Sequence, residues 1–259
     1  TRPEFRVYPI TQRELLERGL AAGDREEEQE ERAKPKRGKG RGSKGPLILP
    51  GRYEGDKWGG KYLRAPDIYY EILEAAGDKL VPLGEIAEVR RGFTTGANEF
   101  FYLEPTGQPA PKGLLHVRNG AGWEGQVEEE FLLPLIRRPR DLPSVKISRD
   151  HLSLYVLDCR QPWAHLRGLR VEALLRWGKQ HGYAGRSTTA SRRLWYDLPD
   201  IPRAQVLWWK SIGERHCTFW NPSVFPCDQR LYPIRTSKAM VRPLLVALNS
   251  AIDRLLVEV

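Results

Sequence analysis

The chain has 259 residues, 40% of them hydrophobic, enough for one large domain or two small ones with real cores. Its 42 Lys and Arg against 33 Asp and Glu leave a formal charge of +9, which favours a polyanionic partner. Three cysteines (Cys159, Cys217, Cys227) are too few and too odd for a secreted disulfide framework and point to a reducing cytoplasm, and no apolar run reaches the roughly 18 residues that cross a bilayer.

In chain order, residues 5–10 read as a short strand and residues 11–19 as a short helix, with Thr11 as N-cap, Glu14 at the capping-box position and Gly19 as stop. The start at Thr1 is neither an initiator methionine nor a signal peptide, so residues 1–22 read as a connector or the tail of an upstream domain. Residues 23–54 carry an acidic block and then a basic, glycine-rich one, and read as a charged flexible linker, the alternative being a basic arm along a phosphate backbone. Residues 55–259 read as the main domain.

Within it, residues 67–76 followed by Gly77 predict a helix with a C-terminal stop. Residues 80–90 alternate into a strand, and residues 99–103 read as its hairpin partner or a close neighbour. Strands are expected again at 152–157, 205–211, 217–220 and 230–234, and an amphipathic helix at 171–180. A last helix runs from Val241 to Val259 with no glycine stop, as if cut from a longer chain. Strands and helices alternate irregularly, which favours a mixed α+β fold of mainly antiparallel strands with flanking helices over repeated βαβ units.

Two segments carry the chemistry of nucleic-acid recognition. Residues 90–98 place Arg90, Arg91, Thr94, Thr95 and Asn98 on a loop with turn glycines Gly92 and Gly96, and such side chains contact base edges and phosphates. Residues 183–196 add Arg186, Thr188, Arg192 and Arg193 without an acidic group. From residue 186 to residue 242 there are ten Lys or Arg (186, 192, 193, 203, 210, 215, 230, 235, 238, 242) and four acids (197, 200, 214, 228), so positive charge concentrates here. Tryptophans interleave with it and are expected mostly in the packing rather than on bases. Arg137 and Arg138 form a further basic cluster.

Chemistry of other kinds finds little purchase. His216, Cys217 and Cys227 are three soft ligands without a paired knuckle or a fourth partner, so no metal site is expected. Asp141 and Lys146 resemble part of a nuclease metal site, but Arg137, Arg138 and Arg140 around them favour a phosphate-facing loop. Asn221-Pro222-Ser223-Val224 matches only the start of the Asn-Pro-Pro-aromatic motif of amino-methyltransferases, and no glycine-rich methyl-donor motif precedes it.

Several ordered stretches resemble the target-recognition region of adenine-specific DNA methyltransferases and fused restriction-modification enzymes. They are residues 57–66 (KWGGKYLRAP), 83–103 (LGEIAEVRRGFTTGANEFFYL), 133–137 (LPLIR), 194–198 (LWYDL) and 247–250 (ALNS), and together they span about residues 55–255. The resemblance implies a mixed α/β specificity domain that grips double-stranded DNA beside an upstream methyltransferase domain. That missing domain would bring the S-adenosylmethionine and the catalysis; no catalytic residue or cofactor is expected in this chain. On that basis Arg137, Arg138, Arg192, Arg193 and Lys210 are expected to hold phosphates, and Arg91, Thr95, Asn98, Arg186 and Thr188 to read base edges, with Arg90 and Thr94 beside them. The alternatives are a metal-dependent nuclease and a generic basic module for RNA or protein.

Overall fold

A computed structural model describes residues 11–13, 65–211 and 217–258. The expected strand at 5–10, most of the expected helix at 11–19 and the linker at 23–54 lie outside the described residues. The chain forms two compact units, one of residues 1–77 with 255–259 and one of residues 78–254. In the first, α1 (Asp67–Ala76) ends at Gly77, whose φ of 50° lets its N–H turn back to the Leu73 carbonyl. A side chain at that φ would be strained, so glycine is the natural stop.

The second unit has a mixed α+β fold with two antiparallel sheets. The four-stranded sheet runs β1 (Ala87–Val89), β9 (Leu231–Thr236), β7 (Val206–Trp209), β8 (Thr218–Trp220). The five-stranded sheet runs β4 (Glu124–Glu128), β3 (Leu114–Asn119), β2 (Tyr102–Pro105), β6 (Tyr155–Leu157), β5 (Leu132–Pro134).

Two expectations for residues 80–103 are corrected. Pro82, with no N–H to give a ladder, opens the helical turn α2 (Leu83–Ile86), which leaves only three residues to β1. Residues 99–103 are not its hairpin partner, because β1 pairs with β9. The helical turn α3 (Asn98–Phe101) precedes β2 in the other sheet. The two phenylalanines explain the turn: a strand would send Phe100 and Phe101 to opposite faces, whereas both are fully buried, edge to face at 5.0 Å. Tyr183 and Trp195 close over Phe100 at 4.8 and 5.3 Å.

The β3–β4 hairpin, LLHVRN against EGQVE, has too little apolar alternation to announce it. Its turn is built by Asn119, whose Oδ1 accepts the N–H groups of Ala121 and Trp123 at 3.0 and 2.9 Å. Helix α4 (Arg170–Gln180) forms where its periodicity predicts and buries Val171, Leu174 and Leu175. Glu128 of β4 accepts the N–H groups of Arg170 and Val171, a carboxylate on the positive end of the helix.

The last helical pattern is broken into α5 (Val241–Ala247) and α6 (Ala251–Glu258). Asn249 supplies the break: its side chain accepts the Thr218 N–H at 2.9 Å and donates to the Thr218 and Leu245 carbonyls at 2.9 and 2.8 Å. Ser250 then accepts the Asp253 N–H at 3.1 Å and starts the next helix. On α5, Val241, Leu244 and Leu245 pack on Val206 and Ile234 of the four-stranded sheet.

Residues 226–229 join the two sheets. Ile136 donates to the Pro226 carbonyl, Asp228 donates to the Ile136 carbonyl, and on the other side Gln229 donates to the Phe93 carbonyl, at 3.0, 3.0 and 3.1 Å. Loop 90–98 and the end of β5 are thereby held on either side of one extended segment.

Candidate nucleic-acid interface

Loop 90–98 continues the β1–β9 pairing, with the Arg90 and Gly92 N–H groups donating to the Pro233 and Leu231 carbonyls at 2.9 and 3.0 Å. Gly92 is required by close approach: a Cβ there would lie 2.3 Å from the Asp228 carbonyl oxygen and 2.7 Å from that of Cys227. From here side chains alternate. Phe93, Thr95 and Ala97 are buried, and Arg91, Thr94 and Asn98 are exposed. The loop thus presents one polar edge on an apolar root.

The second segment, more than ninety residues later, meets that edge. The Thr188 hydroxyl donates to the Gly96 carbonyl at 2.9 Å, and the Arg192 guanidinium donates to the Thr95 carbonyl at 2.6 Å while lying 5.6 Å over the Phe101 ring. Gly96, at φ 70°, has no room for a side chain, since a Cβ would lie 2.6 Å from that of Thr188. Thr189 is fully buried and anchors the turn through the Tyr183 carbonyl at 2.5 Å, which leaves Arg186, Ser187 and Thr188 exposed. Arg186 lies 4.0 Å over the Tyr183 ring and pairs with Glu99. Burial alone would push the Glu99 carboxyl up, but the hydrogen bond from Arg186, a backbone donor and the guanidinium charge together hold it below its ordinary range.

At the other end of the loop, Arg91, Trp209, Lys210, Ser211, Gln229 and Arg230 line a cleft of about 370 Å³. Three cations are among these described lining residues, with Arg91 held by a bond to the Gln229 side chain and the Arg230 guanidinium 3.9 Å from the Asp228 carboxylate. Behind them Asp228 is buried, accepting the Tyr102 hydroxyl at 2.6 Å and the Arg230 N–H at 3.1 Å. Arg137 stands over the Tyr102 ring at 5.7 Å. Burial and the adjacent Asp228 charge drive the Tyr102 hydroxyl well above its ordinary range, so it remains a donor to that carboxylate.

The structure brings together Arg91, Thr94, Asn98, Arg186 and Thr188 on the loop edge, with Lys210 in the cleft. It removes Thr95 from contact: the residue has no exposed surface, and its hydroxyl bonds Asn98 Oδ1 and the Ala97 N–H. Arg192 is half-buried, its cation disfavoured by that burial, and clamps the two segments together. Arg90 pairs with Glu88 at 2.9 Å and Asp200 at 3.3 Å, and Arg193 with Asp197 at 2.8 Å, so both are partly neutralised. Arg138 is half-buried in a separate cleft with Arg137. Gln229, Arg230 and Trp209 were not among the residues expected from sequence. Their signal is faint: a polar Asp-Gln-Arg run ahead of β9 and one aromatic among eight tryptophans.

The remaining motifs are structural where they are described. Asn221 is fully buried, its amide donating to the Ala204 and Phe225 carbonyls at 3.1 and 2.9 Å and its Oδ1 accepting the Phe225 N–H at 3.0 Å. Nothing is left of it for a base. The Lys146 ammonium lies 5.3 Å over the Trp220 ring. His216 lies outside the described residues, among which no three His, Cys, Asp or Glu side chains are grouped to hold a metal ion. No described helix is long and apolar enough to cross a membrane. No family model matches the chain, and no curated protein sequence matches it.

Proposed function

We propose that this chain reads the sequence of double-stranded DNA, as the specificity domain of an adenine-methylating or restriction-modification system whose chemistry resides in another domain. The observation that carries this is the joining of two distant Arg/Thr/Asn-bearing segments at the Thr188–Gly96 contact into one exposed polar edge, with a three-cation cleft at its far end. Seven residue steps from Arg91 to Asn98 reach at most about 23 Å. That is on the order of seven base pairs of duplex.

The work divides by position. Arg91, Lys210 and Arg230 suit phosphates, where cations displace condensed counterions and give affinity without sequence information. Thr94, Asn98, Arg186 and Thr188 suit base edges, because their donors and acceptors stand on a backbone fixed from both sides. Arg186 reaches DNA by exchanging Glu99 for a base or phosphate. The proposal places S-adenosylmethionine in that other domain, in keeping with a sequence that carries no glycine-rich methyl-donor motif and with an Asn221 side chain bonded to backbone.

The test is selection from a randomised duplex library by the intact chain at low salt. An enriched consensus, competed poorly by unselected duplex and by structured RNA, is the expected result. Absence of retained duplex at low salt, or equal competition by all three nucleic acids, would overturn the proposal and leave a generic basic surface.

A further inference from the structure

A second cleft, of about 280 Å³, opens beside the end of β5. Four of its wall residues, Leu135, Leu142, Leu152 and Leu154, are buried leucines, and its polar lining includes Arg137, Arg138, His151 and Ser153. The Arg138 Nε is buried and has no hydrogen-bond partner among the described residues. A cationic N–H removed from water without an acceptor is a cost that proteins rarely leave standing, and an acceptor entering the cleft would relieve it.

The surrounding groups favour the same kind of occupant. The Nδ1 atom of His151 accepts the Ser148 N–H at 3.4 Å, which puts the proton of the neutral ring on Nε2, a donor. Of the two carboxylates on the lining, Glu104 is engaged by Arg118 at 3.5 Å, leaving Asp141 against two guanidiniums. With Arg118 counted against Glu104, the described charges at the cleft leave a net positive one, and the leucine walls lower the local dielectric and strengthen it.

We propose that this cleft binds an oxyanion, a phosphate or carboxylate carried on an apolar body, with Arg138 as central donor and Arg137, His151 and Ser153 around it. With a free small molecule the site goes beyond the proposed function, and with a nucleic-acid phosphate it rests on it. Its oxyanion can belong to a free small molecule or to a backbone phosphate of bound nucleic acid.

The experiment is calorimetric titration of the intact chain at low ionic strength with phenyl phosphate, benzoate and inorganic phosphate. Phenyl phosphate is expected to bind more tightly than inorganic phosphate, because its ring covers the leucines. Arg138→Gln removes the charge-assisted donor and is expected to weaken phenyl phosphate about tenfold or more. Ser153→Leu, at an exposed position, should block the cleft while leaving both guanidiniums and the fold in place, as a melting curve would show. Displacement of phenyl phosphate by a short duplex identifies nucleic acid as the source, and simultaneous binding identifies a free small molecule. The proposal is overturned if none of the three probes binds, if phenyl and inorganic phosphate bind equally, or if Ser153→Leu binds phenyl phosphate as the parent does.

Discussion

Replacing Gly92 by alanine adds one methyl group at the point where loop 90–98 crosses residues 227–229. The new Cβ would meet the Asp228 carbonyl oxygen at 2.3 Å, the Asp228 carbonyl carbon at 2.7 Å and the Cys227 oxygen at 2.7 Å. All three are backbone atoms of the segment that joins the sheets, so no side chain can swing away. The loop must lift, and two backbone bonds go with it, Gly92 to Leu231 at 3.0 Å and Gln229 to Phe93 at 3.1 Å. Two such bonds are worth about 1 kcal/mol each and overpacking adds about 1–3 kcal/mol, so a loss of about 3 kcal/mol is expected once part of the strain relaxes. For a unit of this size that lowers Tm by about 6–12 °C. Gly84→Ala is the control, since a Cβ there meets nothing within 4 Å among the described residues and alanine favours the helical turn by about 0.5–1 kcal/mol. Denaturant unfolding of both variants measures the difference. Duplex affinity should also fall for Gly92→Ala, although no cation is removed, because Arg91, Thr94 and Asn98 share the displaced backbone. Equal stability of the two variants would refute the close approach on which the loop's placement rests.

Lys210→Ala or Arg230→Ala should weaken all duplexes alike and reduce the slope of log affinity against log salt by about one, read by titration at several salt concentrations. Glu99→Gln should instead tighten duplex binding, since it frees Arg186; weaker binding would mean that Arg186 acts only within the fold. Tyr102→Phe leaves the buried Asp228 without its hydroxyl donor and should cost about 2 kcal/mol in denaturant unfolding. The raised Tyr102 pKa means that the folded protein holds this proton more tightly than the unfolded chain. Its contribution is full below the unfolded value, about 10, and declines as pH rises above it toward the higher folded value, a decline that Tyr102→Phe should lessen. Burial pushes the Cys159 thiol up to about 11 and the Cys227 thiol further, so alkylation of both should follow unfolding rather than occur in the native state.

Elements whose signals are local were legible in the sequence. Helices α1 and α4 follow from periodic apolar positions, and Gly77 from its stop position, because helix bonds close within a few residues. The strands β6, β7 and β8 also lie within their expected runs and β9 overlaps its own, running two residues past residue 234, all carried by β-branched and aromatic residues. Partner choice was not legible. Residues 99–103 looked like a hairpin mate for β1, but burying two adjacent phenylalanines on one side required a helical turn, and β1 found β9 about 145 residues away.

The composition of the candidate interface was readable, and its geometry was not. Residues 90–98 and 183–196 could be marked as Arg/Thr/Asn-rich and glycine-punctuated from sequence alone. Only the tertiary structure decided that Thr95 and Arg192 belong to the scaffold while Thr94, Asn98 and Thr188 face outward, and that Arg91 shares a cleft with Lys210 and Arg230. The physical reason is that amino-acid type sets what a side chain can bond. Which of those bonds it makes is set by backbone contacts across more than ninety residues, and these form only when the two sheets close on residues 226–229.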